Sequence, residues 1–162
     1  MALWLAVLSA CATPPAWVGQ TETQVLARWG APTARYTLTA PTAGAPPAVQ
    51  RLEYASGPYG RTTWMLDLDA SGRVVAARQV LDEAALAAFQ ATAPGLGREA
   101  LLRALGTPGE RRHGGWAGGQ VWSWRYPTND CLWFQVSLGD DGLVRSASFG
   151  TDPRCDAAND KP

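Results

Sequence analysis

The chain has 162 residues, 46% of them apolar, with fourteen Lys or Arg against fourteen Asp or Glu. That length and apolar content can bury a real core. The charges cancel and no run of Lys or Arg occurs, so the long-range field of a nucleic-acid binder is absent and nucleic acid is not an expected partner.

The chain opens on an apolar stretch, Met1–Ala10, too short to span a bilayer as a helix. It ends in Leu8-Ser9-Ala10-Cys11, which resembles a bacterial lipobox. The resemblance implies a signal peptide over 1–10, cleavage before Cys11, and acyl chains on Cys11 that hold the protein on a membrane. Unlike the usual signal, no Lys or Arg precedes Cys11. Residues 11–18, with Thr13-Pro14-Pro15, suit a short tether.

An internal repeat follows. Gly19 to Pro32 and Gly95 to Pro108 share one pattern at an offset of 76. Val25, Leu26 and Trp29 in the first copy, and Leu101, Leu102 and Leu105 in the second, sit at i, i+1, i+4 and form one apolar helical stripe. Thr21 and Gln24 read as a capping box that Gly97 and Ala100 lack. Gly30 and Gly106 fall where a left-handed C-terminal residue is wanted, and Pro32 and Pro108 stop each helix after two or three turns.

Strands are expected after each helix: Gln50–Ala55, Thr62–Asp69 and Arg73–Val80 in the first copy, and Gln120–Tyr126, Leu132–Leu138 and Leu143–Phe149 in the second. Tyr54 aligns with Tyr126 at an offset of 72; Leu68, Gly72, Val74 and Ala77 align with Leu138, Gly142, Val144 and Ala147 at 70. Ala70-Ser71-Gly72 and Asp140-Asp141-Gly142 turn the last two strands into hairpins, and Thr39–Pro47 takes up extra length in the first copy. The expected fold is therefore α+β, a tandem repeat of two α-β-β-β units, 19–80 and 95–156. Each is a short helix on a three-stranded antiparallel sheet. A connecting helix lies within 81–94, N-capped by Asp82 with Leu86 and Phe89 on one face, and 157–162 forms a disordered tail.

Alternation turns Trp122, Trp124 and Tyr126, with Phe134, Val136 and Leu138, toward the helix, and Trp29 is expected in the core as well. The other face carries Arg125, Trp133 and Gln135, with Thr63 and Met65 their counterparts in the first unit. This mixed face is the expected partner-binding surface, unless the other unit or the connecting helix caps it. With Cys11 acylated, Cys131 and Cys155 remain an even pair. An oxidising compartment allows them to join, since the hairpin brings them into neighbouring rows.

Catalytic constellations are missing. The single histidine, His113, opens the loop His113–Gly119 with no second ligand at metal spacing, and no serine sits in a Gly-x-Ser-x-Gly elbow. Asp67-x-Asp69-x-Ser71-Gly72 resembles the start of a calcium loop, but its twelfth position is Arg78 where a Glu is required. The Gly-rich loop lies between a helix end and a strand, so no helix N-terminus faces a phosphate there; it reads as a hairpin-like connection. Trp116 within it either folds back on the sheet or anchors a partner. No metal or cofactor is expected.

Lipobox, Pro-rich tether, the Gly-x5-Val/Leu-Leu-x3-Gly-x-Pro unit, the aromatic strand Val121–Tyr126 and the Gly-turned hairpin together resemble the BamE (SmpA/OmlA) family of outer-membrane lipoproteins, matched twice. The tandem α/β layout is also similar to that of the β-lactamase inhibitor proteins. The resemblance implies a protein anchored in the bacterial outer membrane and facing the periplasm. It would be non-enzymatic and bind or scaffold envelope proteins; the alternative is a periplasmic inhibitor of an envelope enzyme, such as a β-lactamase-like hydrolase.

Overall fold

The first helix starts where its cap can close: Thr21 Oγ1 accepts from the Gln24 backbone N–H, and Gln24 Oε1 accepts from the Thr21 N–H at 2.8 Å. A computed structural model describes residues 16–38, 47–56, 61–114 and 118–156. In chain order its elements are α1 (Glu22–Trp29), β1 (Ala34–Thr37), β2 (Gln50–Ser56), β3 (Thr62–Leu68), β4 (Val74–Gln79), α2 (Glu83–Thr92), α3 (Arg98–Leu105), β5 (Glu110–His113), β6 (Gln120–Arg125), β7 (Leu132–Leu138), β8 (Val144–Thr151) and the short α4 (Pro153–Asp156). α1 and α3 both end on a glycine with positive φ, 78° at Gly30 and 79° at Gly106. At each, ψ near −165° is a glycine-only combination that throws the chain directly into the next strand, in place of the left-handed cap expected.

The molecule is α+β, but each unit has four strands where the sequence predicts three. The sheets run β1-β2-β3-β4 and β5-β6-β7-β8, antiparallel throughout. The unpredicted strands are the edges β1 and β5. Glu110-Arg111-Arg112-His113 shows no apolar alternation because an edge strand needs little buried side chain and is protected by charge. His113 thus ends a strand, and the Gly-rich segment joins β5 to β6.

The two copies superpose in register. Helices and edge strands match at an offset of 76, while β2–β4 and β6–β8 match at 70, down to register shifts at Asp67/Leu68 and Ser137/Leu138. The six-residue difference falls between β1 and β2. Tyr54, opposite Trp64, is therefore the counterpart of Trp124, opposite Phe134, and not of Tyr126. Both do the same work: Tyr54 Oη donates to the Gly30 carbonyl at 3.0 Å and Trp124 Nε1 to the Gly106 carbonyl at 3.1 Å.

Each helix covers one face of its own sheet. Trp17, Val25, Leu52, Leu66, Leu68 and Val74 form the first core. The second is larger, because Leu81, Leu86 and Ala93 in and around α2 join Leu101, Leu105 and the inward aromatic residues of β6 and β7. So α2, N-capped by Asp82 as expected, belongs to the second unit. Trp29 does not reach the first core; it lies against Trp17 and is 43% exposed, because the Trp17 indole already fills the space beneath it.

Candidate partner-binding face

The outer face of the first sheet is polar and yet buried: Arg51, Glu53, Thr63, Met65 and Asp67 are all under 9% exposed. What covers it is the C-terminal end of α3 and the turn after it, from the second unit. Arg51 forms a bidentate pair with Asp67, at 2.5 and 2.8 Å, and turns its remaining nitrogen to the Arg103 carbonyl at 2.6 Å. A guanidinium there meets an orphan carbonyl at the negative end of a helix. Arg78 takes the second oxygen of Asp67 at 3.1 Å.

Beside this cluster, Glu53 is fully buried and accepts from Tyr36 Oη at 2.5 Å, the Thr107 backbone N–H at 3.0 Å and the Thr107 hydroxyl at 3.3 Å. Burial, and then the bond to Glu53, push the Tyr36 phenol well above its usual range. A Cβ on Gly106 would stand 3.0 Å from both Glu53 Cδ and Thr63 Cγ2, so the second unit approaches closely enough to need a glycine there. Gly30, its counterpart, has nothing within 4 Å. Thr63 and Met65, expected to face a partner, are thus covered by the second half of the same chain. Capping by the other unit is the outcome at this end.

Among the described residues, no third unit lies over the corresponding face of the second sheet. Arg125 pairs with Asp152 through two bonds, 2.5 and 2.9 Å, and stands 3.5 Å from Glu110. The guanidinium groups of Arg125 and Arg112 lie 5.0 and 5.1 Å from the Trp133 ring, within cation–π range. Arg125 and Trp133 are consequently buried within the face, at 4% and 2% exposure, and its accessible part is Gln135, half-buried, with exposed Arg112, Ser146 and Ser148 around it. Gln135 Nε2 donates to Ser123 Oγ at 3.3 Å. The bonds from Arg125 hold the Asp152 carboxyl below the usual carboxylate range, against the opposing effect of burial.

Arg112 and Asp152 were not among the expected site residues. Asp152 had a signal: at an offset of 70 it repeats Asp82, and it accepts from the Arg154 N–H as Asp82 does from that of Ala85. Below Arg125 is a small cleft lined by Cys131 and Cys155 among others. Cys131 is exposed and Cys155 half-buried, and the Cys131 carbonyl accepts from the Asp152 N–H at 2.8 Å. Cys131 has φ 53°, the one non-glycine positive φ among the described residues. Cys11 and Trp116 lie outside the described residues.

Among the described residues of the face, no bond joins a nucleophile to a base. Ser123 is buried and bonded to Gln135. In the calcium-like segment, the Asp67 oxygens are taken by Arg51 and Arg78, and Asp69 Oδ1 accepts from Ser71 and Arg73 within its own turn. No helix of the described residues is long and apolar enough to cross a membrane. Comparisons with protein-family models, curated proteins and solved structures gave no match.

Proposed function

We propose that the chain is a lipid-anchored, non-enzymatic binding or scaffolding protein of the bacterial outer membrane, of the BamE-like kind, which contacts another envelope protein through the outer face of its second sheet. One observation carries this reading: the equivalent face of the first sheet already grips a protein segment, the end of α3 and its Gly106-Thr107 turn. The gripping residues Arg51, Glu53, Thr63, Met65, Asp67 and Arg78 become Val121, Ser123, Trp133, Gln135, Ser137 and Ser148 at the second face. At four of these positions a charged side chain gives way to Val121, Ser123, Ser137 or Ser148 around one indole, so the second face suits a different occupant. In an oxidising periplasm the Cys131 and Cys155 thiols join.

The test is a photo-crosslinking residue at exposed Ser148 in living cells. The expected result is one envelope-protein adduct, lost in Arg112→Glu, with Cys11→Ser releasing the chain from the membrane fraction. A soluble hydrolase as the adduct favours the inhibitor alternative; adducts from the helix-covered side with none from Ser148 would overturn the face.

A further inference from the structure

The repeat pairs Trp17 with Ala93. Each starts the same turn: Trp17 O accepts from Gln20 N and Ala93 O from Leu96 N, both at 3.1 Å, and Gly19 N and Gly95 N donate to Val74 O and Val144 O at 2.8 Å. In the second unit α2 runs directly into Ala93 and covers the core there, with Leu86 fully buried and the Phe89 ring 6.3 Å from that of Phe134. In the first unit the sequence aligned with α2 carries Pro14-Pro15 where α2 has Gln90-Ala91. Ser56 and Gln79 stand where the second unit has Tyr126 and Phe149.

What remains is a cleft of about 380 Å³ lined by Trp17, Trp29, Ala31, Tyr54, Ser56 and Trp64. The Trp17 ring forms its floor, 4.5 Å from Trp29, 5.7 Å from Tyr54 and 6.3 Å from Trp64. Among the described residues no charged side chain lines it, and the Arg28 guanidinium beside the Trp29 ring opposes a cation there. Trp17 Nε1 is buried without an acceptor. At the rim Trp29 and Val18 are exposed, and the Arg28 guanidinium stands 5.6 Å from the Trp29 ring.

We propose that this cleft receives an amphipathic helix from a partner protein, two of whose apolar side chains at i and i+3 enter it as Leu86 and Phe89 enter the second core. An acidic residue of that helix faces Arg28. The site is separate from the second-sheet face and does not depend on the anchoring of the chain.

The probe is a peptide with the sequence of Leu81–Ala93, added to the intact protein while the tryptophan indole N–H resonances are followed. Saturable shifts are expected at Trp17, Trp29 and Trp64. Binding should weaken about tenfold or more when the peptide carries Leu86→Ser and Phe89→Ser, or when the protein carries Ala31→Arg or Ser56→Arg with its thermal melt unchanged. Any of four results overturns the proposal: no shift, equal binding by the substituted peptide, shifts at Trp122 or Trp124 from exchange with α2 itself, or a response only to a proline-rich peptide or to phosphatidylglycerol vesicles.

Discussion

The backbone N–H of Thr107 donates to the carboxylate of Glu53 across 54 positions of sequence, joining the helix turn of one repeat to the sheet of the other. Because Glu53 has no exposure and its bonds come from Tyr36 and Thr107, the contact is specific to the way these two units meet.

Replacing Glu53 by Ala takes the acceptor from the half-buried Tyr36 hydroxyl and from the Thr107 N–H. The expected loss is about 3 kcal/mol of unfolding free energy, read from urea denaturation. A loss below about 1 kcal/mol would mean that the units separate readily and water replaces the carboxylate.

Gly30 and Gly106 share a backbone conformation that disfavours other residues, but only Gly106 faces another unit closely. Gly30→Ala should cost roughly 1–3 kcal/mol from backbone strain alone. Gly106→Ala should cost at least about 1 kcal/mol more, since Glu53 and Thr63 must also move. Equal melting temperatures for the two variants would contradict the close approach.

Asp152 gives acid sensitivity with a defined sign. Its folded carboxyl is held below the usual range by Arg125, so the native state favours the ionised form. That contribution is present above the unfolded value of about 3.9 and disappears as pH falls through the lower native one. Asp152→Asn should lower stability by about 3 kcal/mol near neutrality, because the buried Arg125 loses the carboxylate it pairs with through two bonds. The gap between wild type and variant should begin to narrow as pH falls past about 4 and close only below the lower native value, as urea midpoints along a pH series will show.

The cysteine pair is checked by alkylation. Protein from an oxidising compartment should resist a maleimide until reduced, and Cys131→Ser should cost roughly 3 kcal/mol only without reductant, through a closed loop of about 25 residues. Rapid labelling of both thiols before reduction would show that they stay reduced.

How far the sequence could be read follows from what each signal depends on. The Thr21–Gln24 box, the Asp82 cap, the glycine stops and both hairpin turns are local chemistry, and all are found in place. The edge strands carry no such signal, because β5 is held by pairing with β6 while its side chains are mostly charged. Matching Tyr54 to Tyr126 followed residue identity, whereas the repeat conserves the bond to the glycine carbonyl and lets Trp124 supply it. Burial of Thr63 and Met65 depends on how the two units meet, which no periodicity within either one encodes. Trp133 had the right face but not the right depth, since two arginines fold over its ring.

The polar lining between the units also has a consequence in time. The first sheet is complete at Gln79, 19 residues before α3 begins at Arg98, and during that interval α3 does not yet cover its outer face. Were that face apolar, it would be an adhesive surface on a half-made chain. Arg51, Glu53, Asp67 and Arg78 keep it hydrated until the second repeat arrives to displace the water, so the same charges that lock the finished pair protect its first half while it waits.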